Sequence, residues 1–268
     1  MFNKLQDSVS LIGVIISVII VAAAFYVVDL DTEEVDEYET NYKAEAKSYD
    51  EYVPIISGWV IESKIDVMSE PSESSDVVDT LFFNDRISYM IYNNEWYSIN
   101  IDGKRRYVLA KYISNKELEC IYYKAPGTTG FKSFMDYNTI TNVGSKQYEI
   151  QNAYAITGEY GIRMVDNRYC IALGSYFNCD IGQYVDLILN NGTVIPCVLS
   201  EFKDDAHTDY YNIITLQNGC MSEFIVNVDS LNDNVKKYGD VSYCNDNWNS
   251  PVVSVRVYNK NMFSVDTE

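Results

Sequence analysis

The densest group of ionisable side chains beyond the acidic N-terminal stretch is Ser200-Glu201-Phe202-Lys203-Asp204-Asp205-Ala206-His207-Thr208-Asp209, which contains the only histidine of the chain. Such a string can do acid–base chemistry. Clustered carboxyls disfavour one another's ionisation, which can bring one of their protons into the useful range. Asp205 lies in a Lys-x-Asp-x-His-Thr string two residues before His207, which can hydrogen-bond it or share charge with it. A metal site built from Asp205, His207 and Asp209 is a weaker alternative, and an acidic solvated loop is the plainest one. With one histidine, sites that need two or more on this chain are excluded, most catalytic zinc sites among them. No metal and no cofactor is expected.

The six cysteines are Cys120, Cys170, Cys179, Cys197, Cys220 and Cys244. An even count permits disulfides if the chain is exported, although spacing selects no pairing. Cys170 and Cys197 occupy apolar strand positions, which favours buried free thiols instead. No Cys-x-x-Cys pair, phosphate-binding glycine loop, serine nucleophile elbow or fixed-period repeat appears.

The elements that must position the polar loop read as β-strands. Residues 152–268 contain the runs RYCIALG, QYVDLIL, VIPCVLS, NIITLQ, SEFIVNV and VVSVRVY, with turns at Asp166-Asn167, Asn190-Asn191-Gly192 and Gln217-Asn218-Gly219. Their order is Arg168 to Gly174, Ile181 to Leu187, Asn191 to Leu199, then the polar loop. This resembles the double-psi β-barrel, over roughly Tyr169 to Asp229, and implies a closed six-stranded barrel with the loop at one mouth. That barrel is shared by expansin-like proteins and lytic transglycosylases, and it occurs in Gram-positive and phage proteins beside an SH3 partner. In its wall-cleaving members one aspartate acts alone as acid and then base, so that the muramic 6-hydroxyl attacks its own anomeric carbon. The aligned position here is Glu201, one methylene longer. The resemblance therefore leaves Asp205 as first candidate, with Glu201 and His207 beside it.

Residues 53–115 carry GWVIE, VVDTLFF, RISYMIY, EWYSINI and RRYVLAKYI, enough short strands for a small barrel. The segment resembles a bacterial SH3 domain. A turn at Asp66 to Ser72, Val78-Asp79-Thr80-Leu81, Asn93-Asn94-Glu95-Trp96-Tyr97-Ser98-Ile99 and Tyr107-Val108 follow the order of that family. Met68 and Arg106 depart from its usual arginine and glycine. The resemblance implies binding of peptidoglycan peptides, with Trp96, Tyr97 and Tyr107 as ligand-contacting candidates. The competing reading makes these aromatic residues barrel core. Residues 116–151, rich in Gly, Thr, Ser and Lys, read as a connector with a lead-in strand and a turn at Asn142-Val143-Gly144.

Ahead of both regions, Leu11 to Val28 is an uncharged apolar run of the length of a membrane helix. A cleaved signal peptide ending near Ala22-Ala23-Ala24 is the alternative, although the run continues past the alanines. Lys4 precedes the run and an acidic stalk, residues 29–52, follows it. The expected arrangement is an anchor over residues 1–28 with residues 29–268 outside the cytoplasm. The chain has 268 residues, 47% hydrophobic and 22% charged, so most of it folds. Its net charge of -19 excludes a general phosphate-binding face, and nucleic acid is not expected as a partner. Two function classes follow for an all-β envelope protein on a single-pass anchor. One is a glycan-cleaving enzyme aimed at peptidoglycan by its SH3-like module; the other is a non-catalytic module that holds the wall or an envelope protein partner.

Overall fold

The computed structural model describes residues 54–264. The expected membrane run and acidic stalk lie outside the described residues. Among those described, no helix is long and apolar enough to cross a membrane. The chain from Tyr52 onward is a single compact unit built on two sheets, and helices are few and short.

The first sheet has seven strands: β1 (Ile56–Val60), β2 (Lys64–Met68), β3 (Val77–Phe82), β4 (Arg86–Ile91), β5 (Trp96–Ile101), β6 (Lys104–Leu109) and β7 (Ile113–Ser114). Their order is β3-β2-β6-β5-β4-β1-β7, with every neighbouring pair antiparallel. Period-two patterning drives these strands. In β4, Ile87 and Tyr89 point inward while Arg86 and Ser88 face solvent. The β5–β6 hairpin turns at Asp102 and Gly103, both at positive φ, as the Asp-Gly pair prefers. One expectation fails here. Asp66 to Met68 is strand rather than turn, because Ile65 and Val67 are buried in alternation with exposed Lys64 and Asp66. The turn begins only at Ser69, whose N–H donates to Asp76 O.

The second sheet has nine strands: β8 (Cys120–Lys124), β9 (Ser133–Asp136), β10 (Ile156–Thr157), β11 (Arg163–Val165), β12 (Arg168–Leu173), β13 (Gln183–Leu189), β14 (Val194–Phe202), β15 (Glu223–Val226) and β16 (Val252–Asn261). The ladder runs β10-β11-β12-β14-β13-β16-β8, and β15 joins β12 to β9. Two pairings, β12 with β14 and β9 with β15, are parallel. Three expectations are corrected. The region from residue 152 supplies seven of the nine strands, β10 to β16, rather than six, and no pairing closes β8 onto β9 among the described residues. The stretch read as a connector supplies β8 and β9, because its apolar runs CIYYK and SFMD pair with strands far along the chain. The run NIITLQ is not a strand. Its Ile213 and Ile214 N–H groups donate to Asp209 Oδ1, which wraps the backbone around that carboxylate instead of laying it in a ladder.

The strongest turn signal is realised as read. Asn191-Gly192 closes the β13–β14 hairpin, with Gly192 at φ +86 and Leu189 N–H donating to Thr193 O. Flanked by β14 and β16, β13 is buried on almost every residue, so it reads as a continuous apolar run. Its one charge, Asp186, forms a buried ion pair with Arg168 of β12. The Arg168 guanidinium also donates to Cys197 O and Val185 O, and Tyr258 OH donates to Asp186 Oδ2 at 2.7 Å.

The first sheet is keyed into this cluster. Phe83, just past β3, sits edge-on to Tyr184 and Tyr258, each 5.2 Å away, and under the Arg168 guanidinium. Asn84 donates to Tyr258 OH, and Tyr184 OH donates to Ser63 Oγ. The two sheets therefore share core rather than hanging on a linker.

Candidate functional site

Two clefts lie near the residues singled out by sequence, one lined by Trp96 and the other by His207. The larger, about 510 Å³, lies on the first sheet. Its floor is apolar: Trp96 at the start of β5, Met68 at the end of β2, and Leu109 at the end of β6. These meet because Met68 is the β2 partner of Tyr107 and Trp96 is the β5 partner of Leu109. The rim is acidic. Asp66 and Glu73 are exposed there, Glu62 is held 2.9 Å from Lys260 Nζ, and Lys64 is the one basic side chain of the lining. Glu73 belongs to the turn after β2, which Ser75 ties by donating its hydroxyl to Glu70 O and Ser72 O. Tyr112, from the single turn Ala110–Tyr112 before β7, completes the wall.

The three aromatic candidates part company here. Trp96 is buried yet lines the cleft. Tyr107 is buried behind it, packed with Trp96 and Met68 and edge-on to Tyr92. Tyr97 points to the other side of β5, as its neighbour in an extended strand must, and stacks on Tyr89 at 4.2 Å. Strand alternation thus separates Trp96 from Tyr97.

The second cleft, about 450 Å³, lies beside the polar loop. Phe202, Lys203, Asp204 and His207 form one wall, Thr215 to Asn218 another, and Ser133 of β9 with Glu223 of β15 the floor. The loop is rigidly tied. Asp204 Oδ1 accepts Ala206 N–H and caps the turn Asp205–His207, while Asp209 is spent on Ile213 and Ile214. Gly174, after β12, allows this packing, since a Cβ there would lie 2.0 Å from Asn212 O.

The catalytic candidates do not converge. Asp205 is exposed and turns away from the cleft; both its carboxylate oxygens accept from Ser175 Oγ, at 2.8 and 3.0 Å. Asn212 Nδ2 in turn donates to Ser175 Oγ. Glu201, one residue before Phe202 on β14, lies on the opposite face. Its carboxylate accepts from its neighbour's amide, Phe202 N–H, and from Gln147 Nε2. His207 lines the cleft, but the hydrogen bonds of Asp205 go to Ser175 rather than to it. No group of three His, Cys, Asp or Glu side chains is placed to hold a metal among the described residues.

The six cysteines are free. Burial pushes the thiols of Cys170 and Cys244 up to about 11 and that of Cys179 up to about 12, which makes them inert packing groups. Sequence reasoning missed Lys203, Ser133, Ser175 and Asp66. Ser133 and Cys220 lie far apart in sequence and meet only through the parallel β9–β15 pairing, for which no local pattern exists.

Comparison of the chain with protein-family models, with curated proteins and with solved structures gives no match.

Proposed function

We propose that this chain is a membrane-anchored, extracytoplasmic envelope protein whose first sheet is an SH3-like module holding a peptide of the cell wall. The observation that carries the reading is the cleft under Trp96. An indole floor continued by Met68 and Leu109 gives an extended ligand apolar area to cover, and the acids at the rim suit a ligand bearing amino groups. The antiparallel order of β1 to β7, with one tight turn before the closing strand, supports the SH3-like assignment. The mixed parallel and antiparallel ladder of the second sheet supports a double-psi-like assignment, with more strands than the simple barrel. On this reading the second sheet buttresses the first and presents its loop without cleaving glycan, since Glu201 and Asp205 face different partners.

The experiment is sedimentation of the segment 53–268 with purified Gram-positive wall, followed by analysis of the supernatant for soluble muropeptides. Binding without release is expected. A second reading, a single-carboxyl lytic enzyme using Asp205, is favoured by the fixing of that exposed carboxylate by Ser175. Release of anhydro-muropeptides that stops in Asp205→Asn would establish it instead.

A further inference from the structure

We propose that Lys203 and Cys220 form an oxidant-triggered covalent cross-link site beneath the second cleft. Cys220 Sγ lies 3.2 Å from Lys203 Nζ, 3.0 Å from Ser133 Oγ and 3.6 Å from Thr215 Oγ1. The sulfur itself is fully buried, but all three of these partners line the cleft. A small oxidant entering the cleft therefore meets the thiol behind one layer of polar side chains.

Both partners are positioned by backbone. Lys203 N–H donates to Leu173 O at the end of β12, and Cys220 N–H donates to Asn218 Oδ1 while Cys220 O accepts Thr215 N–H. The lysine ammonium also donates to Thr215 Oγ1 at 2.6 Å, so it is held against the sulfur rather than swinging in solvent. The sulfur is thus surrounded by one ammonium and two hydroxyl groups, the Cys220 thiol donating to Thr215 Oγ1. Cys170 and Cys197, equally buried, belong instead to the apolar core.

The chemistry needs a peroxide as oxidant. The Cys220 thiolate attacks one peroxide oxygen, the O–O bond breaks, and the sulfur becomes a sulfenic acid while hydroxide leaves. The Lys203 ammonium gives hydroxide a proton, forming water and a free amine. The amine then attacks the sulfenyl sulfur; an S–N bond forms, the S–O bond breaks, and the departing hydroxide takes the extra amine proton as a second water. Sulfur is oxidised by two electrons and one peroxide is reduced to two waters. The product joins the end of β14 to the segment after Thr215 across the cleft and is reversible by thiol.

The test is peptide mapping of the full-length chain in detergent after exposure to a small excess of hydrogen peroxide. The expected result is a linked pair of peptides, one holding Lys203 and one holding Cys220, lighter than their sum by two hydrogen atoms and separated by dithiothreitol. Intact mass alone does not decide, because a disulfide loses the same two hydrogens. Lys203→Arg keeps the cation but cannot form the bond, so Cys220 should stop at a sulfenic acid that dimedone traps. A wild-type chain whose Cys220 stays reduced, ends as a disulfide, or is oxidised without linkage to Lys203 would overturn the proposal.

Discussion

Arg168 and Asp186, each 2% exposed, form a buried ion pair between β12 and β13. The guanidinium is satisfied by Asp186 and two carbonyls, and the carboxylate by Arg168 and Tyr258. Removing one partner leaves a buried charge without compensation, so Asp186→Ala should cost about 3–5 kcal/mol of unfolding free energy in urea denaturation. A loss under about 1 kcal/mol would mean that water reaches Arg168. At this scale the sequence was legible where chemistry and local pattern coincide. Trp96 was visible because an indole after Asn-Asn-Glu opens a strand, and Cys170 and Cys197 because they sit in apolar runs. Tyr97 was misplaced for want of strand phase. Arg168–Asp186 and Lys203–Cys220 were invisible because each joins residues that only strand pairing brings together.

Among the elements, the polar loop depends on a glycine that touches none of its charges. Gly174→Ala puts a methyl against Asn212 O, so the segment from Asp209 to Ile213 must shift and the Asn212–Ser175–Asp205 chain of hydrogen bonds breaks. Hydrogen exchange at the Ile213 and Ile214 amides should accelerate at least tenfold in that variant; unchanged protection would show that the loop packs elsewhere. Hairpins were readable from turn chemistry, since Gly192, Asp102-Gly103 and Asp166-Asn167 all adopt the positive φ that their residue types tolerate. NIITLQ was not, because the Asp209 carboxylate, four and five residues before Ile213 and Ile214, captures their N–H groups. Residues 116–151 were read as a connector with one lead-in strand where the fold has two, β8 and β9, because the polar composition around them outweighed two short apolar runs.

For the whole molecule, the shared core at Phe83 predicts one cooperative transition for residues 53–268 rather than two. Phe83→Ala should remove about 3–5 kcal/mol and uncouple the sheets into separate thermal transitions, a result calorimetry can read directly. Two transitions in the wild type would contradict the shared core. The pH dependence is also a property of the whole chain. Unfolded thiols release protons near about 8.5, whereas burial holds Cys170 and Cys244 to about 11 and Cys179 to about 12. The folded state then binds more protons than the unfolded state in that window, so stability present below about pH 8 is lost as pH rises. Lys132 acts in the opposite sense. Burial lowers it to about 8, below the unfolded value near 10.4, so its contribution rises across that interval. Several thiols outweigh one amine, and the melting temperature should fall between about pH 8 and about pH 10. A flat or rising profile would show the thiols to be hydrated.

Whether the proposed cleft under Trp96 holds a wall peptide is decided by equilibrium sedimentation of residues 53–268 with purified wall. Trp96→Ala removes the floor, and Glu73→Lys reverses charge on the exposed rim without touching the core. Both variants should keep the wild-type sheet signal in circular dichroism and weaken wall binding at least tenfold, about 1.4 kcal/mol. Wild-type protein that stays in the supernatant, or folded variants that bind as tightly as wild type, would contradict the account.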